Sequence, residues 1–187
     1  MAPRIRITKE DIINASVELV RRDGEDALNT RAIASYLGCS TQPIFSNFSS
    51  MEDLKLSVVK KADEICAEYT RLEIESGEFP VYKARGMAYI RFAKEEPELF
   101  KLLYMRDRTS ESTLDEDEAA TDEVLKNVME NTGLDKDSAM LFHLEIWAFV
   151  HGIAAMLATG FLDLDRDLIS RMITDTYQGL KHRFGKD

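Results

Sequence analysis

Apolar residues recur along almost the whole chain at three- and four-residue spacing, the period of a helix with one face turned inward. Ile12, Ile13, Ala15, Leu19 and Val20 mark a first helix. Thr8 with Asp11 forms a capping pair before it, and Gly24 suits the left-handed position after it. A short second helix runs from about Asn29 or Thr30 to Leu37, with Ile33, Ala34 and Leu37 inward, and Gly38 follows as a turn residue. Ser40 is expected to cap a third helix. Pro43 then falls in its first turn, where no intrahelical N–H bond is lost.

Ser49 with Glu52 and Ser50 with Asp53 offer overlapping caps for a long helix to about Glu75. Beyond Pro80 the pattern predicts a helix to about Glu95 and another from Pro97 to Met105. The stretch from Arg106 to Thr113 has no apolar period and reads as a mobile loop. Asp115 to Glu118 lead into a helix ending near Gly133, their charges suiting the positive end of the helix dipole. Helices from Lys136 to Thr159 and from Arg166 to Phe184 close the chain. No run alternates as a strand does, so the fold class is all-α. Residues 1–50 are expected to form an N-terminal three-helix domain, and 51–187 a larger helical one.

Composition narrows the function. The chain has 187 residues, 44% of them hydrophobic, enough for a core. The apolar run Ile146 to Ala158, interrupted by His151 and Gly152, is expected to be too short to cross a bilayer. No stretch near the start reads as a secretory signal. A cytoplasmic protein without a membrane partner is expected. Cys39 and Cys66 lack metal or redox spacing and suit small apolar positions.

His143, Glu145 and His151 invite a metal or acid–base reading. Along one helix, however, the two histidines stand roughly 12 Å apart and cannot share an ion unaided. Asp163, Asp165 and Asp167 imitate a calcium loop, but Leu168 stands where its glycine belongs and Thr174 where its closing glutamate belongs. No phosphate loop, nucleophile elbow or zinc spacing occurs. Neither an enzyme nor a cofactor is expected.

The net charge of −10 is unevenly placed: residues 1–62 hold nine Lys/Arg against eight Asp/Glu, and the rest fifteen against twenty-six. The near-neutral first part can bind DNA if its cations share a face.

Two short helices joined by a glycine turn cannot bury a core alone, and the first helix supplies a third wall. This helix-turn-helix offers its last helix to a DNA major groove. Ile44, Phe45 and Phe48 are expected to face the other helices, leaving Thr41, Gln42, Ser46 and Asn47 outside. Gln and Asn can bond adenine edges bidentately, and a Thr methyl can touch that of thymine. That helix has no Lys or Arg. Arg4, Arg6 and Lys9 near the first helix and Lys55 on the fourth are left to hold phosphates, with helix N-termini. About four to six phosphates per dimer give a shallow salt slope, near −4 to −5.

The stretch Leu28-Asn29-Thr30-Arg31-Ala32-Ile33-Ala34-Ser35-Tyr36-Leu37-Gly38-Cys39-Ser40, then Ile44-Phe45-Ser46-Asn47-Phe48, resembles the DNA-binding domain of TetR-type repressors. The likeness spans about residues 8–62. Trp147-Ala148-Phe149-Val150-His151-Gly152 is similar to the Trp-x-x-x-His-Gly signature of one C-terminal branch of that family. The resemblance implies an all-helical homodimer of nine or so helices that binds a palindromic double-stranded operator. It adds Thr30, Arg31, Ser40 and Phe45 to the DNA-binding residues. Phe45 replaces a common Tyr whose hydroxyl can bond phosphate, Met51 a Lys, and Asn47 a His. Gln42-Pro43 stands where small residues are common.

The resemblance further implies a small-molecule effector pocket in the C-terminal domain, with the long fourth helix as lever. Candidate lining residues are Met87, Tyr89, Ile90, Phe100, Leu103, Tyr104, Phe142, Trp147 and His151. The small residues Gly152, Ala155 and Ala158 allow close helix approach. With Ile169, Met172, Ile173 and Tyr177 they are the candidate dimer interface. The expected function is a ligand-responsive transcriptional repressor; the alternative is a dimeric helical interaction module without specific DNA binding.

Overall fold

A computed structural model describes residues 7–106 and 114–185, with side chains described for 7–106 and 122–185. Among the described residues there are nine α-helices and no strand. They are α1 (Lys9–Asp23), α2 (Thr30–Tyr36), α3 (Gln42–Asn47), α4 (Met51–Glu75), α5 (Val81–Glu95), α6 (Pro97–Tyr104), α7 (Leu114–Thr132), α8 (Lys136–Ala158) and α9 (Arg166–Phe184). A 3-10 turn covers Glu25–Ala27. The loop expected from Arg106 to Thr113 lies, after Arg106, outside the described residues.

Helix ends follow from their capping chemistry. The Thr8 hydroxyl accepts from the Asp11 N–H at 3.1 Å, and the Asp11 carboxylate accepts from the Thr8 N–H at 2.8 Å. Two otherwise unpaired donors are satisfied together, and these bonds hold the Asp11 carboxyl below its usual range. At the far end of α2, the Cys39 N–H reaches the Ala34 carbonyl and the Gly38 N–H that of Ser35. This is the Schellman closure, and it sets Gly38 at φ +63°.

One cap differs from expectation, and a second agrees in its Ser50–Asp53 pair and differs in the partner of Ser49. Thr41, not Ser40, precedes α3, and no side chain caps it. Pro43 occupies the second helical position and has no N–H to offer a capping oxygen. Before α4, the Ser50 hydroxyl accepts from the Asp53 N–H, while Asp53 rather than Glu52 accepts from the Ser49 N–H. Met51 is the first helical residue, so Ser50 is the cap and Asp53 the third position, within reach of both serines.

The chain divides into two compact units, Met1–Ala67 with Glu96–Arg106, and Glu68–Glu95 with Asp107–Asp187. This division by packing does not follow the expected boundary at residue 50. In the first unit α1 packs against α2, α3 and α6. Its core includes Ile12, Val20, Ile33, Ile44, Phe48 and Leu54, joined by Leu99, Phe100 and Leu102 of α6. Arg21 fastens the α1–α6 contact with paired bonds of 2.8 and 2.9 Å to Glu96.

In the second unit α8 packs against α5, α7 and α9. Met87, Ile90, Phe92, Phe142, Ile146, Ile153, Ile169 and Ile173 fill its core. Glu73, at the end of α4, is 2% exposed. It accepts from Arg91 of α5 at 2.9 Å and from Arg166 of α9 at 2.6 Å. A buried carboxylate persists only when paired in this way. By length and composition α8 is apolar enough to cross a membrane, which the run from Ile146 understated. Only 33% of its apolar window is buried.

Candidate nucleic-acid interface and C-terminal sites

The helix-turn-helix is set by local bonds. The Asn29 side chain accepts from the Ala32 N–H at 2.9 Å and opens α2. Thr30 is half-buried there and Arg31 exposed. Ile44 on α3 and Phe48, the extended residue that ends it, are both buried. Phe45 does not join them: it is 65% exposed. One residue is a rotation of about 100° on a helix, so position 45 is turned well away from the buried position 44.

Ser40, Gln42 and Ser46 are exposed, while Thr41 and Asn47 are half-buried. The Ser46 hydroxyl donates to the Gln42 carbonyl at 2.9 Å and the Asn47 amide to that of Pro43 at 2.7 Å. Both donors are thus held by their own helix, an i−4 bond typical of short polar side chains. Among the described residues nothing engages the Gln42 carboxamide. It keeps the donor and acceptor that bidentate adenine recognition needs.

The cations are arranged sparingly. Lys9 lies over the Phe48 ring, 4.8 Å from its centroid. Lys55 forms an ion pair with Glu25. Arg4 and Arg6 lie outside the described residues. Glu25 escaped the sequence reading because its partner is thirty residues away and no local spacing signals the pair.

The candidate effector residues fall in both units. Phe100 and Leu103 are buried in the first unit, where Tyr104 lies 3.4 Å from the Cys66 thiol. Burial pushes that thiol up to about 11. Met87, Ile90 and Phe142 are buried in the second unit. There Tyr89 shares a 2.9 Å hydrogen bond with His151. Trp147 stacks on His151, ring centroids 5.2 Å apart. Tyr82 and His143 form a second such bond at 3.0 Å. Burial lowers the pKa of both histidines.

Each histidine therefore turns to its own tyrosine on α5. Among the described residues no three His, Cys, Asp or Glu side chains could hold a metal ion together. Asp165 instead caps α9, accepting from the Leu168 N–H at 2.8 Å, and Asp163 pairs with Lys94 at 2.6 Å.

A cleft of about 210 Å³ lies between α5 and α7, lined by Tyr82, Arg85, Glu123, Lys126 and neighbours. None of the candidate effector residues lines it. Its charged rim carries no apolar period, so the sequence pattern passed over it.

The candidate interface residues also divide. Ala158, Ile169 and Ile173 are buried in their own unit, and Tyr177 meets the Phe142 ring edge-on at 5.3 Å. Met172, Gly152 and Ala155 are half-buried, with open space beside Gly152. Leu141, Leu144 and Ala148, further apolar residues of this helix, lie on the same side of α8 as Gly152 and Ala155. Leu141 and Leu144 are 46% and 48% exposed. A helix apolar on nearly every side gives no periodic signal for which face turns outward.

Residues 82–176, half of the chain, match the family model of the tetracyclin repressor-like C-terminal domain. The chain belongs to the TetR family. A helix-turn-helix-type transcriptional regulator of Mycobacterium tuberculosis is 24% identical over 184 residues, spanning 95% of this chain and 84% of that protein. The regulator YobS of Bacillus subtilis is 19% identical, spanning 92% and 90%. A TetR-like transcriptional regulator from Rhodococcus sp. RHA1 shares the fold with a TM-score of 0.69 at 14% identity, covering all of both chains. The multidrug binding protein EbrR, crystallised with imidazole, has a TM-score of 0.56 at 16% identity, covering 90% of this chain and 88% of its own. This TetR-family protein is a DNA-binding transcriptional regulator and not an enzyme.

Proposed function

We propose that this TetR-family regulator represses transcription by binding a palindromic operator as a homodimer, and that a small-molecule effector releases it. The observation that carries the reading is the outward face of α3, where Gln42, Phe45 and Ser46 are exposed while Ile44 and Phe48 anchor the helix. Thr41 and Asn47 flank that face. Thr30, Arg31, Ser40 and Lys9, with Arg4 and Arg6, serve as the surrounding phosphate contacts, and Lys55 can join them only by leaving Glu25. Action on DNA agrees with the cytoplasmic location expected from the sequence.

The strip of α8 formed by exposed Leu141, Leu144 and Ala148 and continued by half-buried Gly152 and Ala155 supports pairing of two copies. A two-fold interface uses the same patch on both subunits, and the operator then repeats with inverted symmetry. Met172 joins this interface, while Ala158, Ile169, Ile173 and Tyr177 support it from beneath. The effector pocket draws on Met87, Tyr89, Ile90, Phe142, Trp147 and His151. Small-molecule binding by EbrR, which shares the fold, agrees with such a site. The effector must favour the conformation that does not bind DNA, since equal affinity for both shifts nothing.

Selection of random duplex DNA by the purified protein tests the reading. A repressor of this kind enriches one palindrome and sediments as a dimer at micromolar concentration. A dimer that enriches no sequence establishes the interaction module instead, a reading that the engaged Lys55, Ser46 and Asn47 side chains favour.

A further inference from the structure

We propose that Phe45 reads the C5 methyl group of a thymine, so that each half-site carries a thymine–adenine pair chosen by apolar contact. The proposal rests on the operator-binding reading above. Gln42 and Phe45 are three residues apart on α3 and Ser46 is the next residue, so the three share the helix's outer face. The helix has no charged side chain, so that face cannot hold the duplex by ionic contact with phosphate. Phe45 is its largest group, 65% exposed, and its ring has no hydroxyl to donate to a phosphate.

In the major groove only thymine offers an apolar group, its methyl, and the paired adenine beside it offers N6 and N7. A phenyl ring next to an unengaged carboxamide complements these two features: Phe45 covers the methyl while Gln42 bonds an adenine edge. Ser46 and Asn47, whose donors are held by α3 carbonyls, leave the discrimination to that pair of side chains. Packing of the ring on the sugar–phosphate backbone is the competing arrangement, and it is indifferent to the methyl.

The test uses the duplex selected by the full-length protein. It is resynthesised with deoxyuridine in place of each thymidine in turn, which removes only the methyl. At one position per half-site, wild-type binding weakens about fourfold, the factor that burial of one methyl-sized group supplies. With both half-sites changed the loss reaches roughly fifteenfold. Phe45→Ala binds the two duplexes equally, and Phe45→Leu keeps part of the difference. The ring is exposed, so truncation opens no cavity in the head.

Wild-type indifference to deoxyuridine at every position overturns the proposal. So does a selected half-site without thymine, or a Phe45→Ala variant with full discrimination. Each of these leaves operator binding standing. Failure to enrich any sequence removes the operator reading, and this proposal with it.

Discussion

Replacing Glu25 by Gln removes the carboxylate that holds Lys55. The two side chains are 37% and 36% exposed. A pair so open to water stabilises the fold by at most about 1 kcal/mol, so the variant remains folded. Its effect on DNA binding is larger. A phosphate approaching wild-type Lys55 must displace Glu25, and a lysine traded between two anions adds little net attraction. In Glu25→Gln the ammonium faces the duplex uncommitted.

Each further phosphate neutralised steepens log K against log[salt] by about 0.9, so one per protomer adds about 1.8 for the dimer. With Lys55 withheld, the wild-type slope falls at the shallow end of the expected range, near −4. Fluorescence anisotropy of a labelled duplex, titrated at several salt concentrations, measures both. Non-operator DNA also serves, since phosphate contacts carry no sequence information. Loss of a negative charge alone raises affinity with little change of slope. Equal slopes for wild type and Glu25→Gln therefore refute the argument, and Lys55→Ala in the variant background should restore the shallow slope.

Gly38→Ala places a side chain at φ +63° where no atom stands within 4 Å, so backbone strain alone should cost about 1 kcal/mol in urea unfolding. Gln42→Ala should cost roughly 1–3 kcal/mol of operator affinity and relax preference at one base pair per half-site; an unchanged preference removes Gln42 from the reading set. His143 and His151 have pKa values lowered from 6.5 by burial, so both stay neutral when folded. Their stability contribution is full above pH 6.5 and is lost as pH falls below it, where the unfolded chain takes up protons first. His143→Gln should flatten the fall in urea midpoint between neutral and mildly acid pH, and an unaltered profile counts against that assignment. Leu144→Glu on the exposed side of α8 should convert dimer to monomer in sedimentation without loss of helix; a persistent dimer places the interface elsewhere.

Much of the architecture is legible in residues that act locally. Thr8 with Asp11, Asn29, Gly38 and Ser50 with Asp53 mark helix ends because their bonds span only a few positions. Ser40 misleads for an equally local reason, the missing N–H of Pro43, which a rule about serine alone does not weigh. Phe45 misleads because a large apolar side chain suggests burial. Ile44, one residue before it, already claims the inward face of the short helix, and Phe48 is buried just past its end.

Non-local facts are harder. Neither the Lys55–Glu25 pair nor the packing of α6 against α1 has a spacing to betray it. On α8, Leu141 and Leu144 look no different in sequence from the buried Phe142 and Ile146. Periodicity finds an inner face only where the outer one is polar.

The buried Glu73 carboxylate bears on how the chain is made. One of its two guanidinium partners, Arg166, follows it by 93 positions. A nascent chain with α4, α5 and α8 already synthesised still holds that carboxylate beside Arg91 alone. The second unit can complete its ion network only when α9 leaves the ribosome. That stage of its folding therefore waits for Arg166, and a message truncated before Arg166 yields a chain whose Glu73 keeps Arg91 but lacks the donor to its other carboxylate oxygen.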